Sequence, residues 1–94
     1  MSGYSSNGYY VVEAPNRTGA PSTAFGYIDR SGAQCEKVFL NSELIGFGRR
    51  VYGDTFQIQL LFRTGNVWNA NVHDTGNGEW CYAALMTKWN SWHQ

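Results

Sequence analysis

The stretch Phe56-Gln57-Ile58-Gln59-Leu60-Leu61-Phe62 decides the fold class of this 94-residue chain. Large apolar residues occupy every second position, and two glutamines stand between them. Successive side chains of a β-strand point to opposite faces of a sheet, so the pattern predicts a strand with one buried face and one face in water. Arg63-Thr64-Gly65-Asn66 follows with the composition of a hairpin turn. Residues 67–73 then alternate again, which predicts an antiparallel hairpin.

The rest of the chain has the same organisation, with short apolar runs between polar, glycine-rich turns. Strands are predicted at residues 9–14, 25–29 and 35–40, and a last strand at residues 80–85. No segment carries the apolar stripe of a long helix, and the tail from residue 86 has room only for a marginal turn. Consecutive short strands joined by tight turns predict an all-β fold, a small antiparallel barrel of roughly five to seven strands.

Length and composition indicate one domain. A mass of 10.6 kDa leaves room for a single small core. Residues 1–8 are polar and rich in glycine and serine, so we expect a flexible N-terminal segment. A single β domain is predicted over residues 9–94, with an aromatic C-terminal tail from residue 86. Residues 15–24 hold both prolines and are predicted to form a long loop.

The charge balance and the hydropathy of the chain argue against two classes of partner. Seven basic and seven acidic residues give a formal net charge of zero, whereas nucleic-acid binding needs a surplus of lysine and arginine. No apolar run approaches the roughly 20 residues of a membrane-spanning helix. We therefore expect neither a nucleic-acid partner nor a membrane span.

The two cysteines, Cys35 and Cys81, predict one disulfide bond. They form no CxxC motif, which argues against a zinc ribbon or a thioredoxin-like site. Scarce charge and abundant glycine, serine and asparagine are common in small secreted domains, so the expected location is extracellular, after removal of a signal peptide. A bridge of this span would stabilise the fold by about 4 kcal/mol. Two buried free thiols are the alternative.

The titratable residues form no catalytic or metal-binding pattern. His73 and Asp74 are neighbours on a predicted strand, so their side chains point to opposite faces. The acidic residues are scattered, no glycine-rich loop matches a phosphate-binding motif, and no spacing brings together three or four metal ligands. We therefore predict no enzymatic activity, no cofactor and no metal site.

The aromatic residues are the main functional signal. Four Trp, six Tyr and five Phe exceed what a small β core requires. Rigid rings among asparagine, serine and glycine suit recognition of glycans or peptides, although they also serve to cover the ends of a barrel. Trp80 and Tyr82 fall on the non-core face of the predicted last strand. Trp89 and Trp92 would share one face of a helical tail, and whether that face packs on the domain or meets a ligand stays open.

Two stretches together resemble the bacterial SH3 domain family of extracellular, cell-wall-associated modules. Residues 16–23 (Asn-Arg-Thr-Gly-Ala-Pro-Ser-Thr), followed by residues 25–28 (Phe-Gly-Tyr-Ile), are similar to the family's long first loop and next strand. Residues 78–85 (Gly-Glu-Trp-Cys-Tyr-Ala-Ala-Leu) are similar to its closing strand. The resemblance implies a small, strongly bent SH3-like barrel. It also implies ligand contacts near the first loop and the closing strand, at Asn16, Thr18, Tyr27, Trp80 and Tyr82.

These observations predict a secreted, non-catalytic module that binds cell-wall peptidoglycan or a related glycan or peptide. A small secreted inhibitor or toxin-like protein is the alternative hypothesis, in which the loop at residues 15–24 meets a protein partner. A small hydrolase is the third.

Overall fold

The computed structural model describes residues 3–14 and 19–93. Within them the chain forms two antiparallel sheets and one long helix. The first sheet is a meander of four strands, and the second is a meander of three. A short 3-10 helix at Asn41–Glu43 joins the two sheets. The elements are β1 (Gly3–Ser6), β2 (Tyr9–Glu13), β3 (Ser22–Ile28), β4 (Gln34–Leu40), β5 (Leu44–Tyr52), β6 (Thr55–Phe62), β7 (Val67–Val72) and α1 (Thr75–Trp92).

The alternation that opens the sequence analysis is confirmed in β6. Phe56, Ile58 and Leu60 are completely buried, and Gln59 on the opposite face is exposed. The hairpin turn between β6 and β7 is confirmed too, with Gly65 at a φ of 92°. The strands predicted at residues 9–14, 25–29 and 35–40 correspond to β2, β3 and β4. Residues 3–6, within the segment predicted to be flexible, form β1 and pair with β2.

A close contact between Tyr10 and Gly26 fixes the middle of the first sheet. The two residues are cross-strand partners, and the Tyr10 ring lies where a Cβ on Gly26 would be. The Tyr10 hydroxyl continues across the sheet and donates a hydrogen bond to Glu36, the partner of Gly26 on β4. That bond, together with partial burial and the negative charge of Glu36, raises the pKa of Tyr10 to about 12.

The prediction of a strand at residues 80–85 is wrong, because these residues belong to α1. Asp74 caps the helix: its carboxylate accepts hydrogen bonds from the backbone N–H of Asn77 (2.7 Å) and from the Asn77 side chain (2.9 Å). Small residues and one lysine dominate the buried face of α1, so its hydropathy carries no clear helical stripe. The residues buried on this face are Gly78, Cys81, Ala84, Leu85 and Lys88.

The predicted closed barrel is corrected as well, because the two sheets do not close on each other. They meet at one corner, where Asp29 and Val72 form a bridge and the N–H of His73 donates to the carbonyl oxygen of Ile28 (3.0 Å). The helix covers the open side and packs against β6 and β2. The core therefore lies between the two sheets and α1, with Phe25, Phe56 and Leu85 among its fully buried side chains.

The predicted disulfide is also wrong, because both cysteines are free thiols. Cys35 lies on β4, at the edge of the first sheet, where its Sγ donates to Asp29 Oδ2 (3.5 Å). Cys81 is buried on the inner face of α1, and burial raises the pKa of its thiol to about 12. The main packing partners of α1 are β6 and β2, whereas Cys35 lies on β4. Free thiols remove one argument for secretion, which stays a prediction.

Candidate ligand-binding site

The residues that the sequence analysis assigned to ligand contact do not form one surface. Tyr27 is only 6% exposed, and its ring packs against Phe25 and edge-on to Trp68, with centroids 5.4 and 5.7 Å away. Burial and a hydrogen bond with the Cys35 side chain raise its pKa. Tyr27 is thus part of the core between the sheets. Asn16 and Thr18 lie outside the residues that the structure describes.

Trp80 and Tyr82 lie on different sides of α1. Residues that are two positions apart in a helix are separated by about 200° around its axis. The predicted strand would have put both side chains on one face. The Tyr82 ring packs edge-on against Phe47 (5.4 Å between centroids) and lies under the guanidinium of Arg49 (5.2 Å). Trp80 is half-buried against the core elsewhere.

A groove at the C-terminal end of α1 offers a better-formed site, and we call it the helix-end groove. It has a volume of about 620 Å³ and is bounded by α1 on one side and by the 3-10 helix and the start of β5 on the other. A pocket of this volume falls within the range of small-ligand sites. Its lining consists of Pro21, Asn41, Ser42, Leu44, Ile45, Arg63, Trp89, Trp92 and His93.

The helical wall of the groove is held by aromatic contacts. The ring of Trp89 packs edge-on against the rings of Phe47 in β5 and of Trp92, with centroids 5.6 Å and 6.3 Å away. The ring of His93 lies 4.2 Å from that of Trp89, and its Nδ1 donates to the Trp89 carbonyl oxygen (2.8 Å). The fixed Trp89 therefore supports Trp92, which is half-buried at the edge of the groove.

The opposite wall contains polar residues that are fixed by hydrogen bonds. Asn41 accepts from the hydroxyl of Thr23 through Oδ1 (2.7 Å), and its backbone N–H donates to Pro21 (3.0 Å). Arg63 donates from Nη2 to the carbonyl oxygen of Ser42 (3.2 Å) and from its backbone N–H to that of Glu43 (2.7 Å). The guanidinium is thereby held beside the groove, and among the described residues only Nη2 has an acceptor, so most of its donors are available there.

A β-bulge brings Ile45 into the lining. Leu44 pairs with Phe62 and Gly46 pairs with Leu61, so Ile45 is an extra residue in β5. Bulges of this kind re-aim a side chain at a sheet edge. Leu44 is buried, whereas Ile45 is 49% exposed and gives the groove an accessible apolar side chain.

The described lining of the groove carries positive charge and no negative charge. Arg63 supplies a permanent cation, and none of the described lining residues is acidic. The lining therefore suits a ligand that combines an apolar face with neutral polar groups or a carboxylate.

The described residues contain neither a candidate metal site nor a candidate membrane-spanning helix. Nowhere in residues 3–14 and 19–93 do three His, Cys, Asp or Glu side chains gather closely enough to hold a metal ion. In the same ranges, α1 lacks the apolar length that crossing a bilayer requires.

Sequence reasoning identified two groove residues without assigning their role. The spacing of Trp89 and Trp92 indicated a shared helical face, and in the structure both line the groove while also packing against the core. Leu44 and Ile45 were missed because two apolar residues between Glu43 and Gly46 are too few to define a strand. Arg63 was assigned only to a turn.

No protein-family model matches this chain, and searches of curated proteins and of solved structures give no match either. The resemblance to bacterial SH3 domains is consequently neither supported nor contradicted by these comparisons.

Proposed function

We propose that the protein is a non-catalytic binding module that holds a glycan or peptide segment in the helix-end groove. Peptidoglycan, which contains both kinds of segment, is the ligand material that follows from the sequence analysis. The observation that carries the proposal is the pairing, across one groove, of an aromatic wall (Trp89 and Trp92) with the guanidinium of Arg63. An extracellular location is part of the same proposal.

Pre-formed walls support this function. Trp89 is held by Phe47 and His93, and Arg63 is held by the carbonyl oxygen of Ser42. A ligand that meets groups already in place loses less conformational entropy on binding, because few side chains have to be ordered. The aromatic rings would then contact an apolar or sugar face, and Arg63 would bind a carboxylate.

A sedimentation assay with purified insoluble peptidoglycan tests the proposal. The native protein should sediment with the material, and Trp92→Ala should lose most of that binding. Trp80→Ala is the matched control: it removes the same kind of side chain from α1, but Trp80 does not line the groove. Arg63→Gln should weaken binding and reduce its dependence on salt, because a charge-assisted contact is lost.

Melting temperatures of the three variants separate loss of the groove from loss of the fold. Equal retention of the native protein and of folded Trp92→Ala would place the ligand elsewhere on the surface. If neither peptidoglycan nor soluble peptides and oligosaccharides bind the native protein, the function is wrong.

A further inference from the structure

The helix-end groove continues into the unpaired edge of β5. In the second sheet the strand order is β5-β6-β7, so one edge of β5 has no neighbouring strand in that sheet. β5 is nine residues long, and Leu44 and Ile45 at its start line the groove. An edge strand presents a row of N–H and C=O groups that are ready to pair with another extended chain.

We propose that this edge and the groove form one site, which binds an extended acidic peptide as an added strand beside β5. The proposal rests on the proposed function and specifies its ligand: an apolar side chain of the peptide occupies the groove, and its main chain pairs with β5. Main-chain hydrogen bonds supply affinity in this mode of recognition, and side-chain pockets supply specificity.

Two features that normally protect an edge strand are missing from β5, which is neither short nor interrupted by proline. Its remaining protection consists of the bulge at Ile45 and the charges of Arg49 and Arg50, and an acidic partner would neutralise those charges. β5 contains Gly46 and Gly48, although a Cβ at either position would meet nothing within 4 Å and neither residue has a positive φ. Gly46 adjoins the bulge at Ile45, but the fold gives no local reason for Gly48. Glycine inside a strand often marks a place where another backbone approaches closely.

The charge of the edge selects an acidic partner. Arg50 and Arg63 make no ion pair with any carboxylate of the described residues, and the guanidinium of Arg50 lies over the Tyr52 ring, 5.3 Å from its centroid. Arg49 adds a third cation and is paired with Glu79 of α1. Arg63 lines the groove together with Leu44, at the start of β5. Residues 44 and 50 are about 20 Å apart along an extended strand, so Arg63 and Arg50 lie near its two ends. Acidic residues near both ends of a bound peptide would therefore each meet a guanidinium.

The same charges disfavour two other occupants. A second copy of this chain, pairing through its own β5, would bring Arg49 and Arg50 of both copies onto adjacent strands, and like charges across a strand pair are destabilising. A glycan has no regular row of amide groups to complement the edge. An acidic peptide satisfies the backbone groups and the arginines together.

Selection from a displayed library of random peptides at least as long as β5 tests the inference. We expect enriched peptides to combine an aromatic or aliphatic residue with several Asp or Glu. Arg50→Gln should weaken the affinity of a synthesised enriched peptide several-fold, and Arg50→Lys should restore part of it. Trp92→Ala should abolish binding, because it removes the groove that anchors the apolar side chain.

Two measurements decide whether the peptide binds as a strand. Methylating the peptide's backbone nitrogens one at a time should lower affinity about tenfold or more at alternate positions, because only every second N–H of an added strand points at β5. In the complex, amide protons of β5 that exchange quickly in the free protein should become protected at alternate residues.

The outcomes also separate this inference from the function on which it rests. Peptides that bind without alternation in either measurement would overturn strand addition, and enrichment of basic or neutral peptides would overturn the charge argument. Failure to enrich any peptide, with peptidoglycan binding through Trp92 intact, would reject the inference and leave the proposed function standing. A concentration-dependent dimer that Arg50→Gln strengthens would identify a second copy as the occupant, and the inference would be wrong.

Discussion

Gly78 of α1 lies directly against the ring of Phe56 in β6, with no room for a side chain between them. Phe56 is completely buried, and Gly78 belongs to the buried face of α1. This contact brings the helix close to the second sheet near the N-terminal end of α1. It therefore sets how the helix crosses the sheet and contributes to positioning the wall formed by Trp89 and Trp92.

The first prediction concerns that contact. Gly78→Ala should destabilise the protein by about 1–3 kcal/mol, because the added methyl group forces Phe56 or the helix to move. Helix propensity alone predicts the opposite sign, since alanine is favoured over glycine by about 1 kcal/mol. Gly76→Ala, in the first turn of the same helix, is the control. Its Cβ would approach only Asp74, at an ordinary 3.4 Å.

Urea unfolding of the two alanine variants gives the comparison. Gly76→Ala should be neutral or more stable than the native protein, and Gly78→Ala should have a lower midpoint. Equal stabilisation of both variants would mean that the contact between α1 and Phe56 is looser than the structure indicates.

The second prediction concerns Gly26, which lies beneath the ring of Tyr10. Gly26→Ala should destabilise the first sheet by about 1–3 kcal/mol, because the new methyl group displaces that ring and its hydrogen bond to Glu36. Tyr10→Ala removes the obstacle. The double variant should therefore be more stable than the sum of the two single changes predicts, which a double-mutant cycle measures. Strict additivity would contradict the proposed contact.

The third prediction compares two buried threonines. The Thr55 hydroxyl has no hydrogen-bond partner among the described residues, whereas the Thr23 hydroxyl donates to Asn41. Thr55→Val should therefore leave stability unchanged or raise it by about 1 kcal/mol, because an unpaired buried hydroxyl is removed. Thr23→Val should lower it by about 1 kcal/mol, since it removes the hydrogen bond to the partly buried Asn41 side chain. Thermal melts of both variants give the test, and a large loss for Thr55→Val would show that its hydroxyl is bound.

The strands of the hairpin could be predicted from the sequence, and the helix could not, for a physical reason. In β6 the buried residues are large and apolar at every second position, so the pattern appears directly in hydropathy. In α1 close packing against Phe56 requires Gly78, and Ala84 and Cys81 are also small. Lys88 is only 7% exposed and reaches Glu13 of β2, with Nζ 3.9 Å from Oε1. A face built this way has little hydropathy contrast, so the local alternation at residues 80–85 was misleading.

The groove could not be predicted for a related reason. It depends on the helical spacing of Trp89 and Trp92, on a bulge at Ile45, and on Arg63 from the turn after β6. These residues lie in three separate segments, and only the tertiary arrangement brings them together. The sequence identified the aromatic content correctly and assigned the ligand contacts to Trp80 and Tyr82, which the helix separates.

The last prediction concerns stability at alkaline pH. Burial raises the pKa of the Cys81 thiol from its ordinary value of 9.0 to about 12, because the thiolate is poorly solvated in the core. The unfolded chain loses this proton at a lower pH than the folded protein does. The stabilising contribution is therefore fully present below about pH 9 and is lost as the pH rises toward 12. The pKa of Tyr10, which is raised from its ordinary value of 10.0 to about 12, acts in the same direction.

Urea midpoints measured from pH 7 to pH 10.5 should fall, and Cys81→Ala should make the fall shallower. A thiol reagent at pH 8 should label Cys35 in the folded protein before Cys81, because Cys81 is completely buried and Cys35 is only half-buried. Rapid labelling of Cys81 under native conditions, with no change of pH slope in Cys81→Ala, would contradict its place in the core between α1 and the sheets.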